Sequence, residues 1–130
     1  MNILKEIKYF IQKGKRGFSD RDLWSFDDYL CEIIPPALRQ LAKRSYGCPG
    51  DLWDKKRVND ECYKWKEILE EMAQGFEAAQ QIIDVKYFKN VKQKDGYYTH
   101  EIDRKKQKLL TEKYDKGMKL FVEYFLSLWD

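Results

Sequence analysis

The sequence predicts an all-α domain, a bundle of about four main helices with a proline-kinked second helix and a long C-terminal helix. Three observations predict it. Apolar residues recur at three-four spacing through four segments. Strand-like alternation is scarce. The connections are mostly short. The chain of 130 residues reads as a single domain, 1–130, because that length supports one core of modest size.

The first segment, Asn2 to Lys13, places Ile3, Leu4, Ile7, Phe10 and Ile11 in a one-sided helical stripe. Gly14 and Gly17 bracket a basic turn at Lys15-Arg16. Ser19 reads as the N-cap of the second helix, with Asp20 and Asp22 in its first turn, because an acceptor there satisfies a free N–H and acids suit the positive helix end. That helix carries Leu23, Trp24, Phe26, Leu30, Ile33 and Ile34. Pro35-Pro36 then predicts a break or sharp kink near Ile34, since proline lacks the N–H and disfavours helical geometry in the residue before it. A second piece from Pro36 shows Leu38 and Leu41 and ends near Gly47.

"GCPGDLWDKKR" is a loop by composition. A third helix is predicted from about Asn59 to Ile83 on Cys62, Trp65, Ile68, Leu69, Met72, Phe76, Ala79 and Ile83, with Gly75 as a soft spot or a point of close helix approach. In "DVKYFKNVKQKDGYY" the pair Asp95-Gly96 is a turn signal that would suit a short hairpin, but the lysines favour a mobile loop. The fourth helix is predicted from about Thr99 to Trp129, basic at its start and apolar at its end. Phe121, Phe125 and Leu128 are expected on its buried face, which would make this tail the centre of the bundle.

Hydrophobic residues make up 43% and charged residues 36%, which argues against general disorder. The 25 basic and 22 acidic side chains leave only +3, so nucleic-acid binding would need a local patch. No apolar run reaches the roughly 20 residues that span a bilayer, and the opening residues lack the pattern of a signal peptide. A cytoplasmic protein with no membrane partner is expected. Cys31, Cys48 and Cys62 are widely spaced and odd in number, so reduced thiols are expected rather than a disulfide framework.

The stretch "RGFSDRDLWSFDDYLCEIIPPALRQL" carries Gly17, Phe18, Asp20 or Asp22, Leu23, Trp24, Asp27, Leu30, Pro35 and Leu38, followed by Gly47 and Pro49. A middle motif has Trp65, Ile68, Leu69 and Met72, with Phe76 following. A closing one has Gly117, Leu120, Phe121, Tyr124, Phe125, Leu128, Trp129 and Asp130. In these motifs the chain resembles a family of small all-α proteins encoded by phages and prophages, to which no activity is assigned. Phe26, where the family pattern has Leu, and the additional Pro36 depart from it. The resemblance implies an origin and a fold class and no mechanism.

Several sites are candidates. Arg16, Arg21, Trp24 and Asp27 would form a pocket rim for an anionic ligand, with guanidinium groups for charge and an indole for stacking. The alternative is a capped helix whose Trp24 packs on the tail helix and whose acids are solvated or paired. Arg104, Lys105, Lys106 and Lys108 form a basic patch. With Lys13-Lys15-Arg16, Lys55-Lys56-Arg57, the Lys86 to Lys94 stretch and Tyr87, Tyr97 and Tyr98, it suits either single-stranded nucleic acid or simple solvation. Cys31, Cys48, Cys62 and His100 lack the short spacing of a structural zinc site, and no metal or other cofactor is expected. The pairs Asp27-Asp28 and Glu70-Glu71 occupy adjacent helical positions that diverge, and the single His100 falls at an expected helix start. An enzyme is not expected.

Three functions remain open. The first is a non-enzymatic accessory protein that binds a host protein, in the context of takeover or of countering a host defence, with Tyr46, Trp53 and Tyr97-Tyr98 at its interface. The second is a binder of an anionic nucleotide signal through Arg16, Arg21 and the Arg104–Lys108 stretch. The third is a nucleic-acid-binding protein. A homo-oligomer is compatible with the 15% aromatic content.

Overall fold

The computed structural model describes residues 2–45, 47–52 and 62–129. In chain order the elements are α1 (Ile3–Arg16), α2 (Phe26–Arg44), a 3-10 turn (Gly50–Leu52), α3 (Tyr63–Ile83), strands β1 (Phe88–Lys92) and β2 (Tyr98–Ile102), α4 (Arg104–Glu123) and a closing 3-10 turn (Phe125–Ser127).

The core is built around α3. Trp65, Ile68, Leu69, Met72, Ala73, Gly75, Phe76 and Ala78 are all buried, and both α2 and α4 pack against this helix. On the α4 side, Gly75 and Gly117 let the two backbones meet. A β-carbon placed on either would lie 2.5–2.6 Å from the other's Cα. The close approach anticipated at Gly75 is therefore a glycine-to-glycine crossing. Edge-to-face pairs flank it, Phe76 with Phe121 at 5.1 Å and Trp65 with Tyr124 at 5.5 Å. On the α2 side, Arg39 donates to both carboxylate oxygens of Glu70, each at 3.0 Å, and also bonds Glu77.

The tail is thus not the centre. Phe121 and Leu128 pack against the core, but Phe125 is 57% exposed and Leu126 89%. The helix ends at Glu123, and the 3-10 turn after it aims Phe125 outward while Tyr124 turns in. The tail's apolar residues cover too much of the circumference for one face against α3 to bury them all.

The α2 helix also departs from expectation. Residues 20–25 are turns and not helix. Ser19 receives the Asp22 N–H, and the Asp22 carboxylate accepts from the Ser19 N–H at 2.7 Å and from its hydroxyl at 2.9 Å. The cap pattern is real, but it closes a turn, because Asp20 is tied back to α1 through Gln12 and Arg16. From Phe26 to Arg44 the helix then runs without a break through both prolines. They remove only the N–H groups that would reach the Cys31 and Glu32 carbonyls, while the packing of Pro35 and Leu38 holds the helix on α3.

The predicted all-α class is corrected by a two-stranded antiparallel hairpin, which replaces the expected mobile loop. Its register pairs Phe88 with Ile102, Asn90 with His100 and Lys92 with Tyr98. The Asp95-Gly96 turn closes it, with Gly96 at φ 89° and the Tyr97 N–H donating to Asp95. The ladder takes residues 99–102 from the expected fourth helix, which starts at Arg104 under an Asp103 cap that accepts the Lys106 N–H.

Cys48 and Cys62 form a disulfide, contrary to the reduced thiols expected of them, and Cys31 is free. Fourteen residues apart in sequence, they are brought to a Cα separation of 6.0 Å by the fold, a proximity that spacing does not reveal. Among the described residues no helix is long and apolar enough to cross a membrane.

Candidate partner-binding surfaces

The opening stretch does not assemble the anticipated rim. Arg16 donates to the Phe18 carbonyl at 3.0 Å, bonds the Asp20 carboxylate and lies 4.6 Å from the Phe18 ring centre. Arg21 pairs with Glu6 and lies 4.5 Å from the Tyr9 ring centre. Both guanidinium groups are thus committed to a clasp that fastens the 18–25 turn onto α1. The clasp perturbs its own groups. Hydrogen bonds from Gln12 and Arg16 hold the Asp20 carboxyl below its ordinary range. Burial would raise Asp22, but its bonds to Ser19 and its 3.5 Å pair with Lys13 outweigh that and lower it. Glu6 keeps Arg21 more firmly protonated than usual.

Trp24 does not pack on the tail. It is 91% exposed, joined to Arg21 only through the turn hydrogen bond between its N–H and the Arg21 carbonyl. Asp27 points elsewhere again, into a groove between α2, α3 and α4 of about 370 Å³. Leu30, Phe76, Ala79, Ile82, Ile83 and Met118 give this groove apolar walls, with Cys31 and Tyr114 beside them. Burial raises the Cys31 thiol's pKa, and so do the charges of Asp27, Asp28 and Asp84 around it. An apolar slot with an acidic border is what these residues make. Sequence reasoning placed Leu30, Phe76, Ala79 and Ile83 in the apolar stripes of the second and third helices. They do belong to those stripes: Phe76 is buried and forms the floor, while Leu30, Ala79 and Ile83 are only partly covered by the adjoining helices.

The residues of the expected basic patch lie at the surface. Arg104, Lys105, Lys106 and Lys108 are all exposed at the start of α4, and Lys108 pairs with Glu112 at 3.9 Å. The hairpin precedes it directly. Strand alternation puts Phe88, Asn90 and Lys92 on the same face as their partners Ile102, His100 and Tyr98. His100 is therefore an exposed strand residue and not a helix start. The adjacent acids diverge as expected. Glu70 reaches Arg39 of α2, while Glu71 takes Lys116 of α4 at 3.0 Å. Tyr46, Trp53 and Lys55-Lys56-Arg57 lie outside the described residues.

These surfaces define a small helical domain with a hairpin appendage and an apolar groove. In comparison with known proteins, no family model, no curated protein and no solved structure matches the chain.

Proposed function

We propose that this chain is a non-enzymatic accessory protein, of the phage type its motifs resemble, which binds a protein of the host. The α2–α3–α4 groove carries the reading. A slot of about 370 Å³ accommodates one or two apolar side chains, and burying them there is the usual source of affinity at an interface. The acids Asp27, Asp28 and Asp84 favour a segment with Lys or Arg beside its apolar anchor. The occupant is therefore an apolar, basic segment of the partner.

The test is retention of a host protein by the purified chain, repeated with the isolated partner and with two groove variants. Ala79→Trp fills the slot and Ile83→Glu puts a charge on its edge. Both should weaken binding at least tenfold while the melting temperature stays near that of the parent. A partner held equally by the parent and both variants, or none retained specifically, refutes the reading.

The hairpin supports a second reading, binding of single-stranded nucleic acid. Exposed Phe88 and Tyr98 share a face with Lys92, beside the basic start of α4, and stacking plus charge is how such strands are held. Affinity for a fluorescent oligonucleotide should then fall steeply with salt and drop in Lys105→Ala/Lys106→Ala. An anionic nucleotide, the remaining candidate, would have to displace Asp20 and Glu6 from Arg16 and Arg21.

A further inference from the structure

The α1 helix buries none of its residues. Its stripe of Ile3, Leu4, Ile7, Phe10 and Ile11 is exposed throughout, Leu4 at 77% and Phe10 at 80%. At 100° per residue these five fall within an arc of about 120°. Glu6, Tyr9, Gln12 and Arg16 occupy the other side, and that side receives the clasp. Arg21 contacts Glu6 and Tyr9, while Asp20 contacts Gln12 and Arg16. The chain thus holds α1 by its polar face and presents the apolar face away from its own body. Charge accompanies the stripe. The helix carries Lys5, Lys8, Lys13, Lys15 and Arg16 against the single acid Glu6, and Lys8 and Lys15 border the stripe.

We infer that α1 is a membrane-surface helix that lies in the headgroup region of an anionic bilayer, with its stripe toward the acyl chains and its lysines at the lipid phosphates. A helix with a sharply segregated apolar face, basic residues on the other and modest overall hydrophobicity has this as its characteristic environment. With 14 residues it is about 21 Å long, too short to span a bilayer but long enough to lie on one. Charge selects lipid over a second copy, since two such helices face to face would bring like charges together, whereas anionic headgroups neutralise them. The inference departs from the sequence-based expectation of no membrane partner and is independent of the groove.

Co-sedimentation of the full chain with vesicles tests it. The parent should pellet with phosphatidylcholine–phosphatidylglycerol vesicles, remain in solution with pure phosphatidylcholine, and be released by high salt. Ile7→Asp and Phe10→Asp should each weaken binding roughly tenfold or more, since each removes a large apolar side chain from the acyl boundary. Lys15→Ala should cost roughly fivefold. Circular dichroism should show all three melting like the parent, because α1 buries nothing. Lys105→Ala/Lys106→Ala, at the other basic surface, should bind as the parent does. Equal pelleting with both lipids overturns the inference, as does full retention by the two stripe variants. A parent dimer that Phe10→Asp dissociates, without vesicle binding, overturns it in favour of a subunit interface.

Discussion

Replacing Gly117 with alanine tests the architecture at its narrowest point. The new β-carbon would lie 2.5 Å from the Gly75 Cα and 3.1 Å from both the Glu71 carbonyl oxygen and the Gly75 nitrogen. All three are backbone atoms, so no side chain can swing aside. Ordinary carbon–carbon contact is about 3.5–4.0 Å, so α3 and α4 must separate by roughly 1 Å. Overpacking of this kind costs about 1–3 kcal/mol, and a gap of that size forfeits up to about half of each neighbouring dispersion contact. The Phe76–Phe121 and Trp65–Tyr124 pairs lie along the same seam. Against this, alanine is favoured over glycine within a helix by about 1 kcal/mol. With roughly 1 kcal/mol of weakened dispersion contacts along the seam included, the net loss should be about 1–3 kcal/mol out of a total of roughly 5–15, a fall in melting temperature of roughly 3–12 °C. Thermal melts followed by far-ultraviolet circular dichroism measure it. Gly75→Ala should behave alike, and the double variant should lose less than the sum, because both β-carbons enter one gap. Gly14→Ala is the control, since nothing lies within 4 Å of its β-carbon, and it should melt at or slightly above the parent. If Gly117→Ala also melts at or above the parent, the close crossing of α3 and α4 is refuted.

Arg39→Ala should cost about 1 kcal/mol, a modest figure because the network is partly exposed and screened by solvent. Arg39 holds the Glu70 carboxyl below its ordinary 4.5. The pairing therefore stabilises fully above that value and fades as pH falls through the lowered one. Chemical denaturation should show parent and variant converging in acid, and a constant difference down to low pH would contradict this. Closing the 48–62 loop with a disulfide contributes about 3 kcal/mol, so a reductant should lower the parent's melting temperature but not that of Cys48→Ser. Leu69→Ala, at a fully buried site, should cost about 2–5 kcal/mol, whereas Phe125→Ala should cost under about 1 kcal/mol. Denaturant midpoints in the reverse order would return the tail to the centre of the core.

Where one face of one helix carries the signal, the sequence is readable residue by residue. The stripe of α1, the apolar face of α3 from Trp65 to Phe76 and the special position of Gly75 all follow from helical spacing and from the absence of a side chain. One local signal was present but outweighed. Asp95-Gly96 marked the hairpin turn, yet the lysine-rich stretch between Asp84 and Tyr98 read as a loop and the basic one after it as helix. Strand pairing between residues 6 to 14 apart decided that contest, and local propensity does not contain it.

The candidate site shows the same division. Arg16, Arg21, Trp24 and Asp27 stand out in sequence because their chemistry is intrinsic to the side chain. Their availability is not intrinsic. Only the fold shows that Asp20 and Glu6 occupy the two arginines, that Trp24 stands free and that Asp27 borders a groove whose other walls come from α3 and α4. By itself the sequence determined that this chain forms amphipathic helices and which residues line each apolar face, because periodicity and side-chain chemistry are local. Tertiary structure alone decided that α3 is the centre, that Cys48 meets Cys62, that α2 continues through its prolines and that the α1 stripe remains uncovered. Each of these depends on which face meets which across the chain, and that pairing is settled by the packing of the whole molecule.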